Sequence, residues 1–287
     1  MKKYVFLTCD DLTEFVVDDE IAFKEFEKQM GDSTYEVKSW SDQTVDWSKY
    51  DYAIIRTTWD YTKNLELFLS ILKKIEDSGC ELLNPHKIIQ WNAHKKYLKD
   101  LEEKGVKIIP SIYFEDETRS TLKNRLKMVQ AEKYVLKPTV GASADKIEVI
   151  ASEDVLERFE GIDKPEDWFL QPFIQEVFNG EISYFYFGGE YSHAVKKVPK
   201  DGDFRVQEEH GGLISLHKPD ESEEQIARNV LNSIDEKLLY ARVDMLHTGE
   251  GYKLIELELI EPSLYFRIDP ESASRYIKSL KSWTNHS

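Results

Sequence analysis

YARVDMLHTGEGYKLIELELI, residues 240–260, reads as two strands joined by a glycine-containing turn. Successive strand side chains point to opposite faces, so Glu256 and Glu258 stand together, away from Ile255, Leu257 and Leu259. If the turn at 247–252 closes an antiparallel hairpin, Asp244 falls opposite Glu256 or its neighbour, at the ~4.5–5.5 Å separation of facing side chains. Carboxylates that close need a cation. Oxygen ligands without Cys or His point to Mg²⁺, which usually arrives with substrate phosphates. The competing reading is a solvated face of acids, and a one-residue slip of register would turn Asp244 to the wrong side.

The 287-residue chain has 41% hydrophobic and 12% aromatic residues, ample for one large domain or two to three lobes. A net charge of −16 repels nucleic-acid phosphates and anionic membranes, so any bound phosphate must meet a local basic site. Cys9 and Cys80 lack metal-ligand spacing and fit a reducing compartment. The apolar run Tyr4 to Leu7 is too brief for a signal sequence, and no stretch reaches the roughly 20 apolar residues that span a bilayer. The expectation is a cytoplasmic protein with a small-molecule substrate, and with neither nucleic acid nor membrane as partner.

Ahead of the hairpin, strand-like and helix-like segments alternate: strands at 4–8, 35–40, 52–56 and 81–83, and helices at 20–30 and 64–78. That rhythm predicts a doubly wound parallel sheet whose ligand-facing loops follow the strand C-termini. Asp10 and Asp11 follow the first strand. Arg56, ahead of Thr57-Thr58-Trp59-Asp60-Tyr61, closes the third and could grip a substrate carboxylate. Its structural alternative is an arginine stacked on Trp59 and paired with Asp60. Asn92 reads as the N-cap of a helix over 93–104 stopped by Gly105, and 106–114 as a strand. Short strands at 133–140, 146–150 and 168–174, with helices near 118–131 and 152–159, predict a small α+β lobe. Strands at 181–187 and 191–198 flank the hairpin turn Gly188-Gly189, and helices are expected over 221–239 and 271–280.

Lys137 ends an apolar strand just before Pro138-Thr139-Val140-Gly141-Ala142-Ser143. Small residues let backbone N–H groups approach a polyphosphate while a lysine neutralises charge; the alternative is an ordinary turn. It is not a Walker loop, which ends in Gly-Lys-Ser/Thr. Lys196 and Lys197 lie on one strand, where alternation lets only one face inward.

In order, the chain presents Asn92-Ala93-His94-Lys95, Val135-Leu136-Lys137-Pro138 with its glycine loop, Phe169-Leu170-Gln171-Pro172-Phe173-Ile174 and Gly180-Glu181-Ile182-Ser183. Phe204-Arg205 with Gly211-Gly212 and Arg242-Val243-Asp244 with Glu256-Leu257-Glu258 follow. This series resembles the ATP-grasp superfamily of ligases, with features like glutathione synthetase, the ribosomal-protein glutamate ligases and the cycloserine-forming enzymes. The resemblance implies an ATP-grasp fold, α/β and α+β: an N-terminal doubly wound parallel sheet followed by two α+β lobes clamping ATP. The expected units are an N-terminal domain at 1–90 and an ATP-grasp region at 91–287. The latter divides into a small mobile lobe at about 115–172 and a metal-binding lobe at about 173–287.

By the same resemblance Lys95 and Lys137 hold the α- and β-phosphates, and Gly141, Ala142 and Ser143 form the closing loop. Gln171, Phe173 and Ile174 are the adenine segment, and Glu181 binds the ribose, with Glu176 competing. Asp244, Glu256 and Glu258 ligate Mg²⁺, and a third carboxylate favours two ions over one. Arg205 serves the γ-phosphate, while Arg242 either joins the catalytic face or forms a cross-strand salt bridge with Glu258. The implied reaction is ADP-forming ligation of a carboxylate and an amine through an acyl phosphate. Its substrate is amino-acid-like, with ring closure within one molecule an option and Asp10, Asp11 and Arg56 as candidate contacts. Many relatives pair, which makes a homodimer one option, but nothing in the sequence singles out an interface. The competing readings are a nucleotide-binding module without turnover and a metal-dependent hydrolase.

Overall fold

The computed structural model describes residues 1–13, 15–141 and 146–285. β1 (Lys3–Thr8), β2 (Thr34–Ser39), β3 (Tyr52–Thr57) and β4 (Glu81–Leu83) form a parallel sheet in the order β2-β1-β3-β4. α1 (Asp19–Gln29) covers one face and α2 (Leu65–Asp77) the other. α2 starts where Asn64 accepts the Leu67 amide, and it buries Phe68, Ile71, Leu72 and Ile75, one apolar stripe at helical spacing.

Two expectations fail in the linking segment. Asn92 does not start a helix; it ends α3 (His86–Asn92), and the chain turns before α4 (Tyr97–Glu103). Its side chain is claimed by the end of β13 and the residue after it, donating to the Leu257 carbonyl and accepting the Leu259 amide, both at 2.9 Å. The strand expected over 106–114 is also split, because Pro110 has no amide to donate. Before it, Ile108 bridges Leu254; after it, β5 (Ile112–Tyr113) pairs with β8.

β5, β6 (Lys133–Pro138), β7 (Glu148–Ala151) and β8 (Trp168–Pro172) make an antiparallel sheet ordered β5-β8-β6-β7. With α5 (Arg119–Met128) and α6 (Val155–Glu160) it encloses a small core of its own. The third sheet, β11-β10-β9-β12-β13, comprises β9 (Glu181–Phe187), β10 (Glu190–Val198), β11 (Leu213–His217), β12 (Tyr240–Thr248) and β13 (Gly251–Glu258). Gly188 and Gly189 supply the two positive φ values, +60° and +85°, of the β9–β10 turn. α7 (Glu221–Leu231) is capped by Asp220 and ends eight residues short of the expected 239. β11 was not anticipated.

The first and third sheets share their cores. α8 (Ser272–Asn285) packs back against α1 and joins Phe6 and Ile54 to Phe185 and Phe187. Asn84, in the left-handed region at φ 65°, donates to the Tyr240 and Leu259 carbonyls and accepts the Leu239 amide, locking one sheet to the other. Both cysteines are buried free thiols, and burial pushes Cys80 up to about 12. No helix among the described residues is long and apolar enough to cross a membrane.

His193 sits in this shared core, stacked on Phe185 at 4.3 Å with Nε2 3.0 Å from the Leu264 carbonyl. Burial pushes its imidazole down to about 4. The folded state therefore resists a proton that the unfolded chain accepts near pH 6.5. Its contribution is complete above that value and is lost as pH falls toward 4. The difference of roughly 2.5 units amounts to about 3 kcal/mol. Urea unfolding at pH 7 and pH 4.5 should show a smaller acid loss for His193→Gln than for the parent. Equal losses would mean that this imidazole does not set the acid limb.

Candidate active site

A cleft of about 1820 Å³, counting its open mouth, lies between the second and third sheets. Its floor comes from strand alternation: Arg242, Asp244 and Leu246 of β12 line it while Val243 and Met245 enter the core. The β12–β13 register places Asp244 opposite Glu256 and Arg242 opposite Glu258, with a bulge directly after Asp244. On the other side of β12, Ser183 faces Asp244, and one strand further Lys197 faces Glu181. A row of charge thus crosses the sheet.

Every acid of that row has a cation. Arg242 donates to Asp244 at 2.9 and 3.0 Å and to Glu258; Lys197 pairs with Glu181 and, at 3.2 Å, with Asp244. Ser183 adds a 2.6 Å hydrogen bond to Asp244. Burial works against the Asp244 charge, but Arg242 and Lys197 outweigh it and hold the carboxyl well below the usual range. Glu258 is pushed up to about 7: burial leads, Arg242 opposes it, and Glu256 and Asp244 add repulsion. Both sequence readings of Arg242 therefore describe one geometry, a salt bridge that is also part of the cleft. Of the two neighbouring lysines, Lys197 turns inward, 2% exposed.

The opposite wall carries Lys137 and Gln171, with Lys137 Nζ donating to Gln171 Oε1 at 2.7 Å. Gln171 is fixed in turn by the Ser111 hydroxyl at 2.9 Å. Lys137 has no carboxylate partner among the described residues, and burial brings its ammonium down to about 8 despite the pull of Glu256. Lys95, from the loop between α3 and α4, reaches across to Glu256. Burial opposes its charge, yet Glu256 wins and the net shift is upward. Phe173, Ile174 and Val177 form an apolar ledge, and Phe204 packs edge-on to Phe173 at 5.9 Å. Arg205 and Gly141 also line the cleft. Arg205 is held 2.7 Å from Asp203 in a loop that only glycine closes: a Cβ on Gly212 would meet the Val206 carbonyl at 2.0 Å.

Residues 98–264, more than half of the chain, match the sequence profile of the RimK-like ATP-grasp domain. The chain belongs to that ATP-grasp family. Residues 4–84 of this ATP-grasp chain match the N-terminal domain of D-cycloserine synthetase DcsG. Among curated proteins it is similar to the cycloserine biosynthesis protein DcsG of Streptomyces lavendulae, 27% identical over 86% of this chain and 88% of that one. A probable alpha-L-glutamate ligase of Marinobacter nauticus is 27% identical over 66% of this chain and 62% of its own length. Among solved folds, D-cycloserine synthetase DcsG superposes with a TM-score of 0.82 over 98% of this chain and 99% of that one, at 24% identity. ATP-grasp ligases use ATP and a divalent cation.

Several assignments made from the sequence need correction in this ATP-grasp chain. Arg56 does not reach the cleft: it is 3% exposed, paired with Asp19 at 2.8 Å and surrounded by the rings of Tyr240, Phe266 and Tyr276. A guanidinium at the end of a central strand is taken by the core before substrate can claim it. Asp10 and Asp11 lie outside the cleft wall, Asp10 accepting from the Ser41 hydroxyl and Asp11 from the Thr13 amide. The loop they begin enters instead through Phe15 and Val16. Glu176 is turned away and accepts the Gly249 amide at 3.2 Å, whereas Glu181 lines the cleft. Ala142 and Ser143 lie outside the described residues.

Asp244, Glu256 and Glu258 share the cleft wall, but no three acids, imidazoles or thiols among the described residues stand close enough to hold one ion together. Lys95, Lys197 and Arg242 occupy the spaces between the acids. The donors are still all oxygen, and crowding on Glu258 is what a hard cation relieves, so the set fits Mg²⁺ chemically. The sequence reading missed Glu261, a 7% exposed cleft acid whose signal was its place in the apolar run Leu259-Ile260-Glu261-Pro262.

Proposed function

We propose that this protein is an ADP-forming ligase that joins a carboxylate to an amine through an acyl phosphate, acting on a small amino-acid-like substrate. The observation that carries this reading is the meeting of Lys95 and Lys137, from separate elements, with the acids of β12 and β13 around one cleft. The adenine packs on Phe173, Ile174 and Val177 beside Gln171, and Glu181 takes the ribose hydroxyls. Lys95 and Lys137 neutralise the α- and β-phosphates under the Gly141, Ala142 and Ser143 loop, and Arg205 meets the γ-phosphate. Held by Asp244, Glu256 and Glu258, two Mg²⁺ ions would spread the charge of the triphosphate.

The substrate carboxylate attacks the γ-phosphorus and releases ADP; the amine then displaces phosphate from the acyl carbon. Lys137, Arg205 and Arg242 need only position and stabilise charge, so no covalent nucleophile is required. The ATP-grasp region runs from residue 91, with 115–172 as its mobile lobe and 173–287 as its metal-binding lobe. Residues 1–90 supply the loops that meet the substrate. The relative named for cycloserine biosynthesis makes ring closure within one amino-acid derivative the first acceptor to try.

Incubation with Mg-ATP and pools of L- and D-amino acids, assayed for ADP and phosphate, tests the reaction. ADP that appears only with a particular acid or amine supports the ligase. Saturable ATP binding with no turnover in any pool would leave the nucleotide-binding module instead.

A further inference from the structure

Glu261 stands apart from the acids of the charged row. Asp244, Glu181, Glu256 and Glu258 each have a lysine or arginine partner, whereas the Glu261 carboxylate has no hydrogen bond or ion pair among the described residues. It is nevertheless only 7% exposed and lines the cleft. Burial, then the charges of Glu258 and Glu256, hold its carboxyl well above the usual range, with Lys95 opposing. A buried carboxylate without a partner is a deficit that folding does not make good.

The surrounding geometry fixes the backbone that presents this side chain to the cleft. Three consecutive carbonyls are each held by a different side chain: Ile260 by the Tyr240 hydroxyl at 2.7 Å, Glu261 by Trp59 Nε1 at 3.0 Å, and Pro262 by Arg56 at 3.3 Å. Arg56 is braced by Asp19 and Trp59 by the Phe15 ring at 4.7 Å. The arginine that the sequence offered to substrate thus fixes the turn presenting Glu261. Phe15, Trp59 and Tyr61 form the adjoining wall, and aromatic faces favour a nearby cation.

We infer that Glu261 receives the ammonium group of the amino-acid substrate, against the aromatic wall built by the loops after β1 and β3. The inference rests on the ligase reading and deepens it, since it names the group that recognises the amine partner. An incoming ammonium stabilises the carboxylate form that burial and the neighbouring acids disfavour, which an N-acylated substrate cannot do, so the site selects a free primary ammonium.

The test is calorimetric binding to the full chain, with and without Mg-AMPPNP, of the twenty proteinogenic L-amino acids and their D-enantiomers, each beside its N-acetyl form. At least one free amino acid should bind while its N-acetyl form does not. Glu261→Gln should weaken that binding by about tenfold or more, as expected for losing a charged hydrogen bond, and Glu261→Asp should keep part of it. Mg-AMPPNP affinity should be unchanged in both variants. The inference is overturned if the parent binds no free amino acid, if Glu261→Gln binds as well as the parent, or if both variants lose Mg-AMPPNP in parallel. A parent that fails to bind Mg-AMPPNP would sink the ligase reading alone, because the nucleotide-free arm still decides what Glu261 holds.

Discussion

Lys137→Ala is expected to reduce ADP formation by about 10²–10³-fold, the usual cost of deleting one charge-stabilising donor from a water-poor site. The fold should persist, because among the described residues the Lys137 side chain bonds only to Gln171 Oε1, and Gln171 keeps the bond it donates to the Ser111 hydroxyl. The same ammonium predicts a pH effect. It is brought down to about 8, so it is charged and competent for phosphate below that pH and neutral above. Mg-AMPPNP affinity should fall as pH rises from 7 to 9 in the parent and be flatter over that range in Lys137→Ala. Unchanged turnover in Lys137→Ala would remove this lysine from the site.

Arg242→Met should act on both stability and activity. Arg242 is 8% exposed and serves Asp244 and Glu258 together; its removal leaves buried Asp244 to Lys197, which already serves Glu181, and takes from Glu258 its ion-pair partner. Breaking a buried ionic network from one side costs about 3–5 kcal/mol, because the abandoned charges stay desolvated. Chemical denaturation should show a loss of that size, partly recovered at high Mg²⁺ if Asp244, Glu256 and Glu258 take a cation into the vacated space. Arg242→Lys should fold better than Arg242→Met, since it keeps a charge but not the fork that spans two carboxylates. A stability loss near zero for Arg242→Met would show that the network is dispensable.

The hairpin register illustrates how far sequence reasoning reached. Period-two alternation with a glycine turn narrowed the partner of Asp244 to Glu256 or its neighbour, and the structure selects Glu256, which sets Arg242 against Glu258; the constraints are local, and a slip would expose an entire apolar set. The parallel sheet of β1 to β4 followed from alternating periodicities in the same way. Asn92 shows where such reasoning stops. Locally it is a good cap; in the fold, the Leu257 carbonyl and the Leu259 amide outcompete that role from 165 and 167 residues away. Arg56 fails for the same reason, taken by Asp19 and by aromatic rings of later elements.

The sequence by itself determined most of the elements, the family and the residue types gathered for nucleotide chemistry, since periodicity, turn chemistry and motif order are all written along the chain. Only the tertiary structure decided which charge meets which. It turned Lys197 inward, left Lys137 without a carboxylate partner among the described residues and brought Arg56, Trp59 and Tyr240 onto the turn that aims Glu261. Those outcomes depend on distances between groups far apart in sequence, and burial magnifies each of them, because a charge removed from water takes its energy from whichever neighbour the fold places beside it.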